Sequence, residues 1–575
     1  MEDYRKAYEE WLNDPYFDEA TRAELKAIEN DDKEIRERFY TALEFGTAGL
    51  RGIIGAGTNR MNQYVVQRAT QGLANYIVRA GGQKKGVAIA YDSRHMSPEF
   101  ADFAALTLAG NGIKAYVFES LRPTPELSFA VRHLGCIAGI NITASHNPPE
   151  YNGYKVYWED GAQLPPEHAA TVSAAAAEAD IFDGVEKMPF DKARSAGIIT
   201  VIGAECDEAF MKAVLECRLS PGVTEQYGDR AGIAYTALHG TGYRLVPEVL
   251  RRCGINNLFL IKSQMKPDGD FPTVASPNPE NRECFDCAVK SISEAGADCG
   301  IIIATDPDAD RIGLCVRDEK GEFRALSGNQ IGALLIDYII RTRRESGNLP
   351  KNAAAIKSVV SSNLFDAICE KNGVYHTSVL TGFKYIGEKI AQWSEDGSHT
   401  FIFGYEESQG YLTAGYARDK DAVAASMLVA EMACSLYAQG KTVWQALCGI
   451  YAEYGCYREG VLNVKIGGID PMSEMEKKMA QIRAEKVGSI GGMRVCAVRD
   501  YKTGLRTADS GETTPVGLPE SDMLYYELAD GSAVIIRPSG TEPKIKAYIL
   551  IRGENEAEAG EKLSAGTDFC KKILS

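Results

Sequence analysis

Short apolar runs rich in β-branched residues alternate along most of this chain with longer stretches of helical pattern. The first series lies at residues 86–92, 114–119 and 139–144, separated by segments such as 98–110. The rhythm restarts at 232–238, 258–261 and 299–305, and again at 354–360, 376–380 and 401–405. A strand pattern that recurs between helical patterns is the signature of layered α/β structure, so the alternation predicts three related α/β units. After about residue 449 the texture changes, and strand patterns at 461–466, 493–500, 523–528, 533–537 and 545–551 crowd into one segment. That crowding predicts a fourth, smaller α+β domain. The expected divisions are 1–204, 205–323, 324–449 and 450–575.

Composition narrows the class. At 575 residues the chain is too long for a single core. Its 45% hydrophobic and 25% charged residues are the balance of an ordinary globular protein, which excludes a disordered tail or linker. With 79 acidic against 63 basic side chains the net charge is −16, so no broad basic face for nucleic acid is expected and an anionic ligand needs a local cluster of cations. The N-terminal segment lacks the basic, apolar and small-residue succession of a secretion signal. No stretch reaches the ~18 uninterrupted apolar residues of a membrane helix, and the alanines at 174–177 are closed by Glu178 and Asp180. A cytoplasmic protein without a membrane or nucleic-acid partner is therefore expected. The 14 cysteines are scattered; Cys284 and Cys287 form a C-x-x-C with no second pair or histidine at zinc spacing, and read as small apolar groups on a helix.

Candidate chemistry sits where strand patterns end. Ile301 to Thr305 runs into Asp306-Pro307-Asp308-Ala309-Asp310-Arg311, three carboxylates at alternate positions followed by a cation. Carboxylates converging this closely repel one another unless a divalent cation neutralises them, and all-oxygen ligands favour Mg²⁺ or Mn²⁺ over zinc. A solvated acidic turn is the weaker alternative, and an EF-hand fits poorly because Arg311 and Arg317 stand where its glycine and bidentate glutamate belong. The run 139–144 leads into Ser145-His146-Asn147-Pro148-Pro149, a polar turn that presents either a nucleophilic hydroxyl or merely the end of a strand. Lys155, ten residues on, can return to the same spot. The segment from Arg537 through Ser539, Gly540 and Thr541 to Lys544 and Lys546 offers cations and hydroxyls for a phosphate, or else forms a solvated hairpin. It lacks the P-loop pattern, as Gly55 and Gly57 lack a third glycine for a dinucleotide fingerprint. Thr381-Gly382-Phe383-Lys384, Gly404-Tyr405-Glu406-Glu407-Ser408 and the Phe45–Gly52 loop with Arg51 are each ambiguous alone.

Together these segments resemble the α-D-phosphohexomutase superfamily over about the whole chain. Thr143–Pro148 looks like its phosphoserine loop, Asp306–Arg311 its metal loop, Gly404–Ser408 its sugar loop and Arg537–Thr541 its phosphate loop, one per domain and in the family's order. The forms of the 45–51, 381–384 and 404–408 segments are similar to the branch holding bacterial phosphoglucomutases and the animal phosphoglucomutase/phosphopentomutases. The sugar loop departs from the phosphomannomutase form. The resemblance implies mixed sheets in the three α/β domains, a central cleft, and an intramolecular phosphotransferase of the isomerase class that acts on glucose 1-phosphate and 6-phosphate through a phosphoserine and a bound glucose 1,6-bisphosphate. Mannose and pentose phosphates are the alternative substrates. The resemblance also implies catalytic roles for Ser145, His146, Lys155 and Arg51, and Mg²⁺, one per chain, on Ser145, Asp306, Asp308 and Asp310. Substrate contacts are implied for Thr47, Arg311, Thr381, Gly382, Lys384, Glu406, Ser408, Arg537, Ser539, Gly540 and Thr541. Rival readings are an aspartyl-phosphate phosphatase using Asp306 and Asp308, and a non-catalytic phosphosugar sensor. Oligomeric state is not legible.

Overall fold

The computed structural model describes residues 3–43, 45, 49–467, 471–539 and 544–575. Thr47, Gly540 and Thr541 lie outside the described residues. The chain divides into two compact units, one made of 1–327, 386–403 and 408–443, the other of 328–385, 404–407 and 444–575.

In the first unit a six-stranded sheet has the order Leu50–Ile53, Tyr151–Trp158, Ala138–Ile142, Val87–Tyr91, Ala115–Phe118, Ile199–Ile202. The last four run parallel, and the first two are added antiparallel. Parallel strands are covered by helices on both faces, which is why they read as continuous apolar runs. Side chains alternate between those faces: Val87 and Ile89 join a core with Leu73, Ile77, Phe100 and Leu108, while Ala88 and Ala90 join Leu127, Val131 and Tyr157 on the other side. Tyr151–Trp158 mixes Asn152, Gly153 and Lys155 into an otherwise aromatic strand, so periodicity hides it although residues 152–157 are buried.

A second sheet repeats the plan, in the order Phe323–Ala325, Ile312–Arg317, Ile301–Thr305, Ile233–Thr236, Phe259–Leu260. Its last three strands are parallel, and 312–317 folds back antiparallel onto 301–305. In both sheets, therefore, a buried parallel strand ends in a loop and returns as a hairpin. The two loops, 143–150 and 306–311, carry the polar motifs. Ahead of the first sheet, helices Asp3–Asn13, Glu19–Ala27 and Asp32–Phe39 pack on an aromatic cluster in which Trp11 stacks on Phe17 at 4.3 Å. Helix Ala422–Ala438 is apolar all round because it is buried, and Asp421 caps its first amides. Among the described residues no single helix is long and apolar enough to cross a membrane.

In the second unit Ala353–Ser358 and Tyr375–Val379, which fall on two apolar runs of the third series, pair in parallel. The crowded C-terminal segment forms an antiparallel sheet in the order Cys456–Lys465, Lys544–Gly553, Ala533–Pro538, Leu524–Leu528, Met493–Asp500, Leu505–Ala508, Thr513–Pro515. Val534 and Ile536 face helices Pro471–Ala484 and Glu556–Leu574; Ala533 and Ile535 face Val359, Val360 and Leu380. Among the described residues the cysteines form no disulfide; Cys284 is fully buried, as a small apolar group would be, while Cys287 is half-buried beside Ser263 Oγ.

Candidate active site

The loop after Ile301–Thr305 is bound from within. Asp306 Oδ1 accepts the amides of Asp310 at 3.2 Å and Arg311 at 3.0 Å, a turn closed by Ala309 in the left-handed region, φ 50°. Asp306, Asp308 and Asp310 are all buried, and each offers an oxygen within 4.8 Å of the others. Among the described residues neither Asp308 Oδ1 nor Asp310 Oδ1 has a hydrogen-bond donor. Buried anionic acceptors left in this way are costly, and a hard divalent cation satisfies them; the residues fit such an ion. Burial and the charge of Asp308 hold the carboxyls of Asp306 and Asp310 above the usual range. Asp308, equally buried, is held below it by the ammonium of Lys155.

The loop after Ala138–Ile142 brings Ser145 to this cluster. Its Oγ donates to Asp306 Oδ2 at 2.8 Å and lies 3.2 Å from His146 Nδ1. Ser145 itself is left-handed, φ 52°, an uncommon conformation for a residue with a Cβ. Burial, then Arg311 and Arg51, push the His146 imidazole well below its ordinary pKa, so it is neutral beside the hydroxyl. Lys155 returns on Tyr151–Trp158 as the sequence suggests, but it reaches the acids rather than the serine: Nζ donates to Asp308 Oδ2 at 2.8 Å and stands 3.7 Å from Asp310 Oδ2. Arg51, exposed on the outermost strand, donates to Asn147 Oδ1 at 3.2 Å. Arg311 binds Glu280 Oε1 at 3.1 Å with its Nε 3.8 Å from Asp310 Oδ1.

Sequence reading misses the residues that hold these loops. Arg94, 1% exposed, donates to the carbonyls of Ser145, Asn147, Pro148 and Tyr151, at 2.6 Å for Ser145. Asp92 lies beside it, accepting from Thr143 Oγ1 at 2.6 Å, and the same hydroxyl receives the amide of Ser145 at 2.8 Å. Lys420 reaches Asp310 Oδ2 at 3.1 Å and Asp419 Oδ1 at 2.9 Å, and Asp419 accepts from Tyr157 at 2.8 Å. A buried charged residue asks for a partner, and the Asp92–Arg94 spacing at the end of an apolar strand is a usable signal. Lys420 sits in a run of charges, Arg418 to Asp421, that patterning alone reads as surface.

The second unit gathers another set. Glu406 is buried, and its Oε1 accepts the amide of Gly382 at 2.7 Å, so the 381–384 and 404–406 motifs meet. Glu407 accepts from Ser358 at 2.9 Å. Among the described residues Thr381 Oγ1, which is buried, has no hydrogen-bond partner, and Lys384 Nζ lies 5.1 Å from the Tyr385 ring. Burial opposes the charge of Arg537, but Tyr548, Glu407 and Glu406 outweigh it and raise its pKa. Ser539 is buried, its amide bonded to Lys544 O at 2.8 Å. Ser408, half-buried, is grouped with the first unit.

Models of the α/β/α domains I, II and III of the phosphoglucomutase/phosphomannomutase family match residues 42–181, 208–321 and 327–454. The chain is 37% identical over 540 residues to a phosphoglucomutase of Staphylococcus aureus (strain MSSA476), covering 93% of this chain and 94% of the relative. It is 36% identical over 541 residues to a phosphoglucomutase of Staphylococcus epidermidis, covering 92% and 95%. Among solved structures it is similar to a putative phosphomannomutase from Thermus thermophilus, with TM-score 0.67, 21% identity and coverage of 93% of this chain and 99% of that one. It is also similar to the open form of the phosphoglucomutase parafusin from Paramecium, with TM-score 0.66, 17% identity and coverage of 93% and 94%. At these identities the two structures bear on the fold.

Proposed function

The chain belongs to the phosphoglucomutase/phosphomannomutase family, and on that premise we propose that it interconverts glucose 1-phosphate and glucose 6-phosphate through a phosphorylated Ser145 and bound glucose 1,6-bisphosphate. The observation that carries this reading is the Ser145 hydroxyl at 2.8 Å from Asp306, inside a buried set of three carboxylates with two unsatisfied oxygens. A serine so placed suits phosphoryl exchange rather than acyl chemistry, because the surroundings are built for a cation and a transferring anion.

In the forward half-reaction the Ser145 Oγ–P bond breaks as a bond forms from phosphorus to the free sugar hydroxyl, whose proton passes to the neutral His146 imidazole. In the return half-reaction Ser145 gives up its own proton and receives the phosphoryl group from the opposite end of the bisphosphate. Asp306 Oδ2 accepts the hydrogen bond that orients the serine hydroxyl, and the neutral His146 imidazole beside it is placed to take the proton. Lys155, Arg51 and Arg311 supply positive charge near the transferring group. Asp306, Asp308 and Asp310, with Ser145, would hold Mg²⁺, which would supply charge neutralisation there. Arg537, Ser539, Gly540 and Thr541 grip the phosphate that stays behind. Glu406 and Ser408, with Thr47, Thr381, Gly382 and Lys384, orient the sugar. The phosphatase alternative suits the site less well, since Asp310 stands where the Asp-x-Asp motif of such enzymes carries a threonine or valine.

Coupled assays on glucose 1-phosphate, mannose 1-phosphate and ribose 1-phosphate, with a trace of bisphosphate, test the substrate. The largest kcat/KM is expected for glucose 1-phosphate; a larger value for either rival sugar overturns the assignment. Ser145→Ala is expected to lower turnover by several orders of magnitude at unchanged Tm, and near-normal activity of that variant contradicts the covalent route.

A further inference from the structure

Asn141 is an oddity of sequence. It lies inside Ala138–Ile142, a strand buried along its whole length, and is itself fully buried. A polar group in that position requires a partner, and its Nδ2 donates to Thr124 Oγ1 at 2.7 Å. Thr124 is equally buried and is the first residue of helix Thr124–His133, directly after Pro123 at its N-cap. Both polar groups of Thr124 go to one residue of the metal loop. Its amide donates to Asp308 O at 2.8 Å and its hydroxyl to Asp308 Oδ2 at 3.0 Å.

The donor arithmetic makes this contact directional. A threonine hydroxyl has one proton, and Asn141 fills its acceptor side, so that proton is committed to Asp308. Asp308 Oδ2 then receives both Thr124 and Lys155, while Oδ1 has no donor and is buried. We propose that Thr124 is a positioning residue of the metal centre: oriented by Asn141, it occupies Asp308 Oδ2 and leaves Oδ1 as the oxygen offered to a divalent cation. The strand that leads to Ser145 and the loop that carries the acids are thereby tied through a single hydroxyl. This inference rests on the proposed metal reading. Lys155 alone cannot replace Thr124, because an ammonium with three protons and a flexible stem fixes a charge but not a carboxylate plane.

The test is Mg²⁺ titration calorimetry on the full-length chain after removal of metal, with Tm measured for each protein. Outer-sphere partners of metal ligands are typically worth about 10- to 100-fold in affinity, so Thr124→Val is expected to weaken Mg²⁺ by about 10-fold or more. Thr124→Ser, which keeps the hydroxyl, is expected to restore it, and excess Mg²⁺ is expected to recover turnover in the valine variant. Should valine lower Tm enough to unfold the chain, Thr124→Ala, which only subtracts atoms, serves in its place. Equal Mg²⁺ affinity in wild type and the Val or Ala variant overturns the inference and leaves the metal reading intact. Failure of the wild type to bind Mg²⁺ overturns both.

Discussion

Glu126 is fully buried on helix Thr124–His133, neither carboxyl oxygen receives a hydrogen bond, and the nearest guanidinium, Arg122 Nε, is 3.8 Å away. Arg122 is engaged instead by Asp207 at 2.7 Å. Burial first, and then the Asp207 charge, hold the Glu126 carboxyl well above its ordinary pKa. The sign of the linkage follows. The folded chain keeps a proton that the unfolded chain releases near the ordinary glutamate value of about 4.3, so stability from this group is present below that pH and is lost as pH rises toward the folded value. Glu126→Gln, which cannot ionise, is expected to remove that dependence. Thermal denaturation from pH 5 to 9 should show the variant gaining on the wild type as pH rises, with a limiting slope of about 1.4 kcal/mol per pH unit. A constant difference across that range contradicts a protonated Glu126. The same scale explains what is legible in advance: Asp306, Asp308 and Asp310 are neighbours in sequence, so their convergence needs only one turn. Arg94, Thr124 and Lys420 reach the site from loops and helix ends far away in the chain, and no spacing rule encodes that.

Hairpin returns are the elements that set the geometry. Gly153 lies opposite Arg51 in the pairing of Leu50–Ile53 with Tyr151–Trp158, and a Cβ there meets Thr143 O at 2.5 Å and Leu50 O at 2.8 Å. Both atoms are backbone, so Gly153→Ala must move the edge strand or the residue two before Ser145. Overpacking of this kind costs about 1–3 kcal/mol. The variant is expected to lower Tm and, more than its stability loss explains, kcat; wild-type values for both contradict the close fit. The parallel strands are legible because burial on two faces writes itself as unbroken apolar runs. Their antiparallel partners are not: Tyr151–Trp158 shows in the sequence only as a lysine that can return to the Ser145 turn, and Ile312–Arg317 sits behind the acidic motif that draws the eye. The aromatic content of Tyr151, Tyr154, Tyr157 and Trp158 is a strand signal that the polar residues between them obscure.

At the scale of the whole molecule the proposed roles fall on two units. One unit carries the serine and the acids; the other carries Arg537 and the loops tied by Glu406. In the proposed cycle, a bisphosphate that turns end for end would present first one phosphate and then the other to the same grip. Arg537→Ala should therefore lower kcat/KM by roughly 10²-fold for both glucose 1-phosphate and glucose 6-phosphate, measured forward and in reverse at matched bisphosphate. A large loss with one isomer alone means separate phosphate sites. The covalent serine is the central claim, and isolating the labelled enzyme tests it most directly. After brief incubation with glucose 1,6-bisphosphate labelled in phosphate, acid quench and peptide mapping should place an acid-stable label on the peptide holding Ser145, and a chase with unlabelled glucose 1-phosphate should remove it at the rate of turnover. A hydroxylamine-sensitive label on the peptide holding Asp306, or turnover with no labelled enzyme at all, contradicts the account.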